Sequence, residues 1–248
     1  MSLIPTIFRP SPTVPPHAIE AADVVRQAWR MHLLITLGFL AVAAMCLPYD
    51  IPFSQWFFRT LNGKPAWMRN FVDNLVGFGH GVGVGIIVLL VFILEPRQRK
   101  AWISVLTTAF CAGMAANIGK LLIARWRPRD YKVVPEHFSE TFQGFLPFLS
   151  NGTGGQSMPS AHTATAVGLA IILSTVYPRA KYVFAFLALN VAVHRLSYGA
   201  HHLSDVFVGA ALGWIIGQIC RWSALRYHYV DPLIAQGGPG CLQPGITK

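Results

Sequence analysis

His201 and Asp205 stand four residues apart in the stretch His194-Arg195-Leu196-Ser197-Tyr198-Gly199-Ala200-His201-His202-Leu203-Ser204-Asp205, between two strongly apolar runs. On a helix that spacing puts both on one face, where a carboxylate holds an imidazole in a single tautomer. Arg195 precedes a Gly-Ala turn able to fold it back over the same spot. A histidine oriented by an acid beside a fixed cation can attack an electrophile that carries negative charge, and the phosphorus of a phosphate ester is the obvious one. Two blander readings stay open on this stretch alone. One is an interfacial polar residue at a helix end; the other is a metal site, because His201, His202 and Asp205 have ligand spacing.

Two further clusters carry related chemistry. Lys120 and Arg127 are seven residues apart, so a helix continuing through both stacks them on nearly one face, and Pro128 ends it there. In Pro159-Ser160-Ala161-His162 a serine stands where a helix N-cap is expected. The free N–H groups of a first helical turn bind anions, and His162 would face whatever they bind. His80 interrupts an apolar run with neither an acid nor a second histidine near it in sequence, and reads as a packing or hydrogen-bonding residue.

The elements that must position these residues are membrane helices. The chain of 248 residues is 53% hydrophobic and only 12% charged, about half the charged share of a soluble domain. Its net charge of +10 sits mostly in short segments flanking apolar runs, which fits membrane topology and excludes a nucleic-acid-binding protein. Cys46, Cys111, Cys220 and Cys241 lack paired spacing, and the first three lie in apolar runs as small hydrophobes. Six apolar runs follow one another, at 32–47, 71–94, 101–126, 160–177, a fifth reaching 198, and 203–222. The leader before the first is too long for a cleaved signal peptide, so that helix is expected to be retained. Glycines at 77, 81 and 85, and again at 209, 213 and 217, form small-residue stripes for close helix contact. Phe138, Phe142, Phe145 and Phe148 in the long loop before Pro159 are expected to dip into the interface.

The expected fold is therefore all-α, a six-transmembrane helix bundle. Residues 1–31 form a cytoplasmic segment, 32–222 the bundle, and 223–248 a cytoplasmic tail without regular structure. Basic residues at 9, 26, 30, 97, 99, 100, 179, 181, 221 and 226 fall on one side, so both termini are expected in the cytoplasm. Lys120, Arg125, Arg127 and Arg129 oppose that bias and need another task. Two crossings separate the 127–159 loop from the 198–203 turn, so Lys120, Arg127, Ser160, His162, Arg195, His201 and Asp205 share the outer face. Three cations, a helix N-terminus, two histidines and a carboxylate suit phosphoryl transfer; that surplus of cations would repel a metal ion.

Taken together, the residues resemble the type 2 phosphatidic acid phosphatase superfamily, whose pattern is K-x6-R-P, P-S-G-H and S-R-x5-H-x3-D. Lys120 to Arg127-Pro128 keeps the first gap, and Arg195, His201 and Asp205 keep both later gaps. Ala161 replaces the glycine and His194 the usual serine. The resemblance implies that His201 is the nucleophile, oriented by Asp205, that His162 is the acid and base, and that Lys120, Arg127, Ser160 and Arg195 hold the phosphoryl oxygens. Ala161 keeps its backbone N–H for the anion, and His194 is an accessory donor or is merely packed. No metal or other cofactor is implied. The partner is a lipid phosphate in the bilayer: phosphatidic acid, phosphatidylglycerol phosphate, undecaprenyl pyrophosphate or the phosphate of lipid A. The compact loops look bacterial, which puts the chain in the inner membrane with its site toward the periplasm. A phosphotransferase of the same family, a lipid transporter or flippase, and a metal hydrolase are the rival classes. The substrate and the oligomeric state stay open.

Overall fold

The computed structural model describes residues 16–98, 100–146 and 156–231. Helix α1 (Pro16–Cys46) begins well before the apolar run it carries. A 3-10 turn (Leu47–Tyr49) leads into α2 (Asp50–Asn62), and α3 (Ala66–Leu75) follows. The second apolar run is not one helix. A 3-10 turn at Val76–Gly79 separates α3 from α4 (Gly81–Leu94), and the chain bends by 63° there. The bend lets backbone approach backbone: a Cβ on Gly79 would lie 2.7 Å from the His162 carbonyl oxygen. The first glycine stripe is not a helix contact, because Gly77 sits in the turn while Gly81 and Gly85 face open space.

Helix α5 (Ala101–Leu122) also stops short of expectation. At Ile123 the backbone becomes extended, and β1 (Ile123–Arg125) pairs antiparallel with β2 (Phe142–Phe145), with a bulge between Ala124 and Arg125. The fold is thus mostly helical with one short two-stranded ladder, and Lys120 and Arg127 do not share a helix. Phe145 is exposed on β2, while the Phe142 ring lies 4.5 Å beneath the Arg125 guanidinium. Phe148 lies outside the described residues.

Helices α6 (Ala161–Val176), α7 (Lys181–Ser197) and α8 (Leu203–Arg226) complete the bundle. Helix α6 is apolar all round and is its axis, packed by α5, α7 and α8, with Leu169 and Ile172 fully buried. The second glycine stripe works as expected. A Cβ on Gly209 would come within 2.5 Å of the Ser160 carbonyl oxygen, and one on Gly213 within 2.4 Å of Ala164's. These contacts press the N-terminal ends of α6 and α8 together, where the chemistry-bearing residues are.

Outward-facing Leu33, Leu37, Ile86, Leu89, Phe110 and Phe186 leave the periphery apolar, the surface a bilayer requires. Among the described residues three helical stretches are long and apolar enough to cross a membrane: Val25–Thr60, Ala101–Leu122 and Leu203–Arg226. The bent α3–α4 pair makes a fourth if counted as one span. Helices α6 and α7, at 16 and 17 residues, fall below that length. After α8 the chain turns back: Val230 is buried and the Asp231 N–H donates to the Gln98 side-chain carbonyl at 3.2 Å.

Candidate active site

The site is built where α8 begins. His202 is the N-cap, and Asp205 in the first turn closes a capping box by accepting from the His202 N–H at 2.8 Å. His201 therefore precedes the helix instead of sharing a face with Asp205. Its Nδ1 lies 3.9 Å from the Asp205 carboxylate, too far for a hydrogen bond, and 2.6 Å from the Ser157 carbonyl oxygen. A carbonyl only accepts, so Nδ1 carries the proton and Nε2 of the neutral ring keeps its lone pair. The Ser157 hydroxyl donates to Asp205 at 2.5 Å. Asp205 thus reaches His201 through Ser157, a residue with no signal in the sequence pattern.

Arg125 holds this corner together. Completely buried, it donates to Asp205 at 2.5 Å, to Asp50 at 2.7 Å, to the Ser204 hydroxyl at 2.7 Å and to Thr141 at 3.0 Å. Asp50, at the start of α2, also accepts from the Ser204 N–H at 2.9 Å and so caps α8 from a distant part of the chain. Burial opposes the guanidinium charge, but the Asp205 and Asp50 carboxylates outweigh it and raise the Arg125 pKa. The unexplained outer cation of the sequence thus has a structural task. The only advance sign was its clash with the topological charge bias, and Asp50 gave none. His202 is spoken for on both nitrogens, with Asp205 at 3.2 Å from Nδ1 and the Tyr131 hydroxyl at 2.6 Å from Nε2. Among the described residues no three His, Cys, Asp or Glu side chains are placed to share an ion.

The cations gather on the other side of His201. Pro159 packs against Gly119, which brings the Lys120 end of α5 to the start of α6. The Ser160 N–H donates to the Asp205 carbonyl at 3.1 Å, tying α6 to α8. The Ser160 side chain makes no cap bond; its oxygen accepts from Thr163 at 2.9 Å. The first helical bond of α6 runs from Ala164 N–H to Ser160, so the N–H groups of Ala161 and His162 point out of the helix end. Lys120 lies within electrostatic reach of Arg127, Arg195 and Asp205, and His201 within reach of Arg195 and Lys120. The buried Nε atoms of Arg127 and Arg195 have no acceptor among the described residues, an uncommon condition that an anion would relieve. Burial holds the His201 imidazole well below its ordinary pKa; Asp205 pulls it up, while Arg195 and Lys120 push it down. The ring is neutral at neutral pH, as a nucleophile must be.

His162, in the first turn of α6, lies within reach of Arg195 and Lys120. Its ring centre is 5.8 Å from that of His80, so a second histidine does accompany His80. His194 is buried, stacks on Tyr198 at 5.0 Å, and has its Nε2 3.3 Å from the Asp73 carboxylate. The residues singled out in the sequence do converge on one end of the bundle, and Arg125, Asp50, Ser157 and Tyr131 join them.

A model of the PAP2 superfamily matches residues 100–228. The chain is 29% identical over 239 residues to a lipid A 1-phosphatase of Rhizobium etli, covering 89% of this chain and 96% of the relative. It is 31% identical over 142 residues to a decaprenylphosphoryl-5-phosphoribose phosphatase of Mycobacterium tuberculosis, covering 56% and 71%. A PAP2-type phosphatidylglycerolphosphate phosphatase from Bacillus subtilis superposes with a TM-score of 0.55 at 18% identity, over 79% of this chain and 96% of that one. LpxE of Aquifex aeolicus superposes with a TM-score of 0.50 at 21% identity, over 68% and 93%. At such identities the two structures share the fold.

Proposed function

The chain belongs to the PAP2 superfamily, and from that premise we propose that it is a membrane phosphatase that hydrolyses a lipid-linked phosphate through a phosphohistidine on His201. The observation that carries this reading is the His201 ring, held by the Ser157 carbonyl at Nδ1 and leaving Nε2 free beside Lys120 and Arg195. Nε2 attacks phosphorus, the P–O ester bond breaks, and His162, which takes up a proton when the negatively charged phosphate binds beside it, gives that proton to the leaving oxygen. His162 then takes a proton from water, whose oxygen displaces the histidine and releases inorganic phosphate. Lys120, Arg127, Arg195, Ser160 and the N–H groups of Ala161 and His162 hold the phosphoryl oxygens. Charge spread over those oxygens in a loose transition state is what fixed cations and a helix N-terminus stabilise.

The relatives that act on lipid A and on a decaprenyl-linked sugar phosphate favour a glycolipid phosphate, with lipid A 1-phosphate as the leading candidate. An apolar groove of about 800 Å³ between α7 and α8 accommodates the hydrocarbon part; Thr163, hydrogen-bonded to Ser160, lines it. In a six-span arrangement α6 crosses at the axis and α7, with Val183, Phe186 and Leu189 outward, at the periphery; both termini lie in the cytoplasm, and the site opens at the outer face of the inner membrane. Clustering of the polar residues at one end of the bundle favours an enzyme over a transporter, whose charges would line a path through mid-bilayer.

Phosphate release from purified protein in detergent, across phosphatidic acid, phosphatidylglycerol phosphate, undecaprenyl pyrophosphate and lipid A, tests this reading. His201→Ala is expected to lower turnover by at least about a thousandfold, within the range lost when a covalent nucleophile is removed. Retained turnover in His201→Ala would end the nucleophile assignment.

A further inference from the structure

Beside the phosphoryl site lies a cavity of about 410 Å³ that the mechanism above does not use. Phe58 of α2, Arg69, Asn70 and Asp73 of α3, Arg129 and Tyr198 line it. It shares a wall with the catalytic centre. Arg195 lies within electrostatic reach of His201 and His162, while the preceding residue, His194, pairs with Asp73 at 3.3 Å. Arg129 lies within electrostatic reach of Arg195, and its N–H donates to the Gly199 carbonyl at 3.0 Å. Gly199 has φ of +59°, and a Cβ there would come within 3.1 Å of Arg129 and 3.3 Å of Phe58, so the turn packs both against the cavity.

We propose that this cavity is a second subsite, which binds the sugar of a glycolipid whose phosphate is cleaved at His201. The lining has the chemistry for it. The Phe58 and Tyr198 rings offer apolar faces for a sugar's C–H surface. Asp73 accepts from hydroxyls, Asn70 both donates and accepts, and Arg69 and Arg129 donate charge-assisted hydrogen bonds. Among the described residues the Arg129 guanidinium has a 3.5 Å exposed pair with Asp130, a weak competitor for such a ligand. The volume falls within the range of small-molecule sites, about 300–1,000 Å³. A hydrocarbon chain is the wrong guest for a space with two arginines and a carboxylate. His194 acts here as a positioning residue, fixing Asp73 on the sugar side while Arg195 serves the phosphate side.

The proposal rests on the phosphatase reading, and two measurements separate the two claims. The first is binding to the full chain carrying His201→Ala, in detergent, by calorimetry. Glucose 1-phosphate is expected to bind at least fivefold more tightly than inorganic phosphate, and Arg69→Ala or Asp73→Asn on that background to erase the preference. Arg69→Lys, which keeps the charge, is expected to retain part of it. Equal affinities for the two probes, or an equal loss for both in Arg69→Ala, would overturn the subsite. The second is kcat/KM of the otherwise native chain on lipid A against phosphatidic acid. Arg69→Ala is expected to reduce the lipid A to phosphatidic acid ratio about tenfold, mainly through KM; an unchanged ratio overturns the subsite. A native chain that releases phosphate from none of the four lipids named above refutes the phosphatase reading, and the binding comparison then still decides the subsite.

Discussion

At the residue scale, the proposed nucleophile depends on one hydrogen bond that no motif records. The Ser157 carbonyl fixes the His201 tautomer and its hydroxyl links the ring to Asp205, so Asp205 acts at one remove. Ser157→Ala keeps the carbonyl but leaves Asp205 one donor short, at a cost of about 1–3 kcal/mol for a buried charged acceptor. Turnover is expected to fall about tenfold or more with KM little changed; a normal kcat would show that the link to Asp205 is idle. His201 also leaves a mark on stability. Its folded pKa lies well below that of the unfolded chain because the ring is buried. Below about pH 6.5 the unfolded chain takes up a proton there and the folded chain does not, so acid favours unfolding. The stabilisation is complete above that pH and declines as the pH falls. Melting in detergent is expected to drop between pH 7.5 and 5.5, and His201→Asn to remove part of that slope; an identical slope would mean that the ring is not held neutral.

At the element scale, α2, β1 and α8 meet at one buried ion cluster. Arg125 bridges Asp50 and Asp205, and Asp50 caps α8 through the Ser204 N–H. Removing one partner of such a cluster strands a buried charge, which costs about 3–5 kcal/mol. Asp50→Ala is therefore expected to lower the melting temperature strongly and to reduce activity, although Asp50 belongs to α2 and not to the three spaced motifs. Wild-type melting of Asp50→Ala would dismiss the cluster as a support. The α6–α8 contact is equally intolerant. Gly209→Val would drive a side chain into the Ser160 carbonyl, already within 2.5 Å of a bare Cβ, and separate the start of α6, the proposed anion site, from His201. Phosphate binding and turnover should decline together in that variant.

At the scale of the whole molecule, the proposed reaction has the apolar groove between α7 and α8 take the hydrocarbon part and the polar end of the bundle take the phosphate. Ala192→Trp puts a large ring into the groove and is expected to raise KM for long-chain lipid phosphates more than for a short-chain analogue; equal changes for both would remove the groove from substrate binding. In intact cells, tags at both termini are expected to stay protected from external protease, and cleavage at either would reverse the orientation.

The membrane character of the chain, the three spaced motifs and the α6–α8 glycine stripe were legible in the sequence. Each depends on local composition or on short intervals along the chain, which survive whether or not one helix carries them. Where the helices stop was not legible. Helix α5 ends at Leu122 because β1 finds its partner in β2, some twenty residues on, and the second apolar run breaks because Gly79 must meet the backbone of α6. The partners of His201, Asp205 and Arg125 were hidden for the same reason. Asp50 and Ser157 lie far from these residues in sequence, and a hydrogen bond between distant segments leaves no period for a pattern to reveal. Residue types and their intervals determined which groups could serve a phosphate. Only tertiary packing decided which ring nitrogen of His201 is tied down and which is left open, because that choice depends on a carbonyl brought in from another part of the chain.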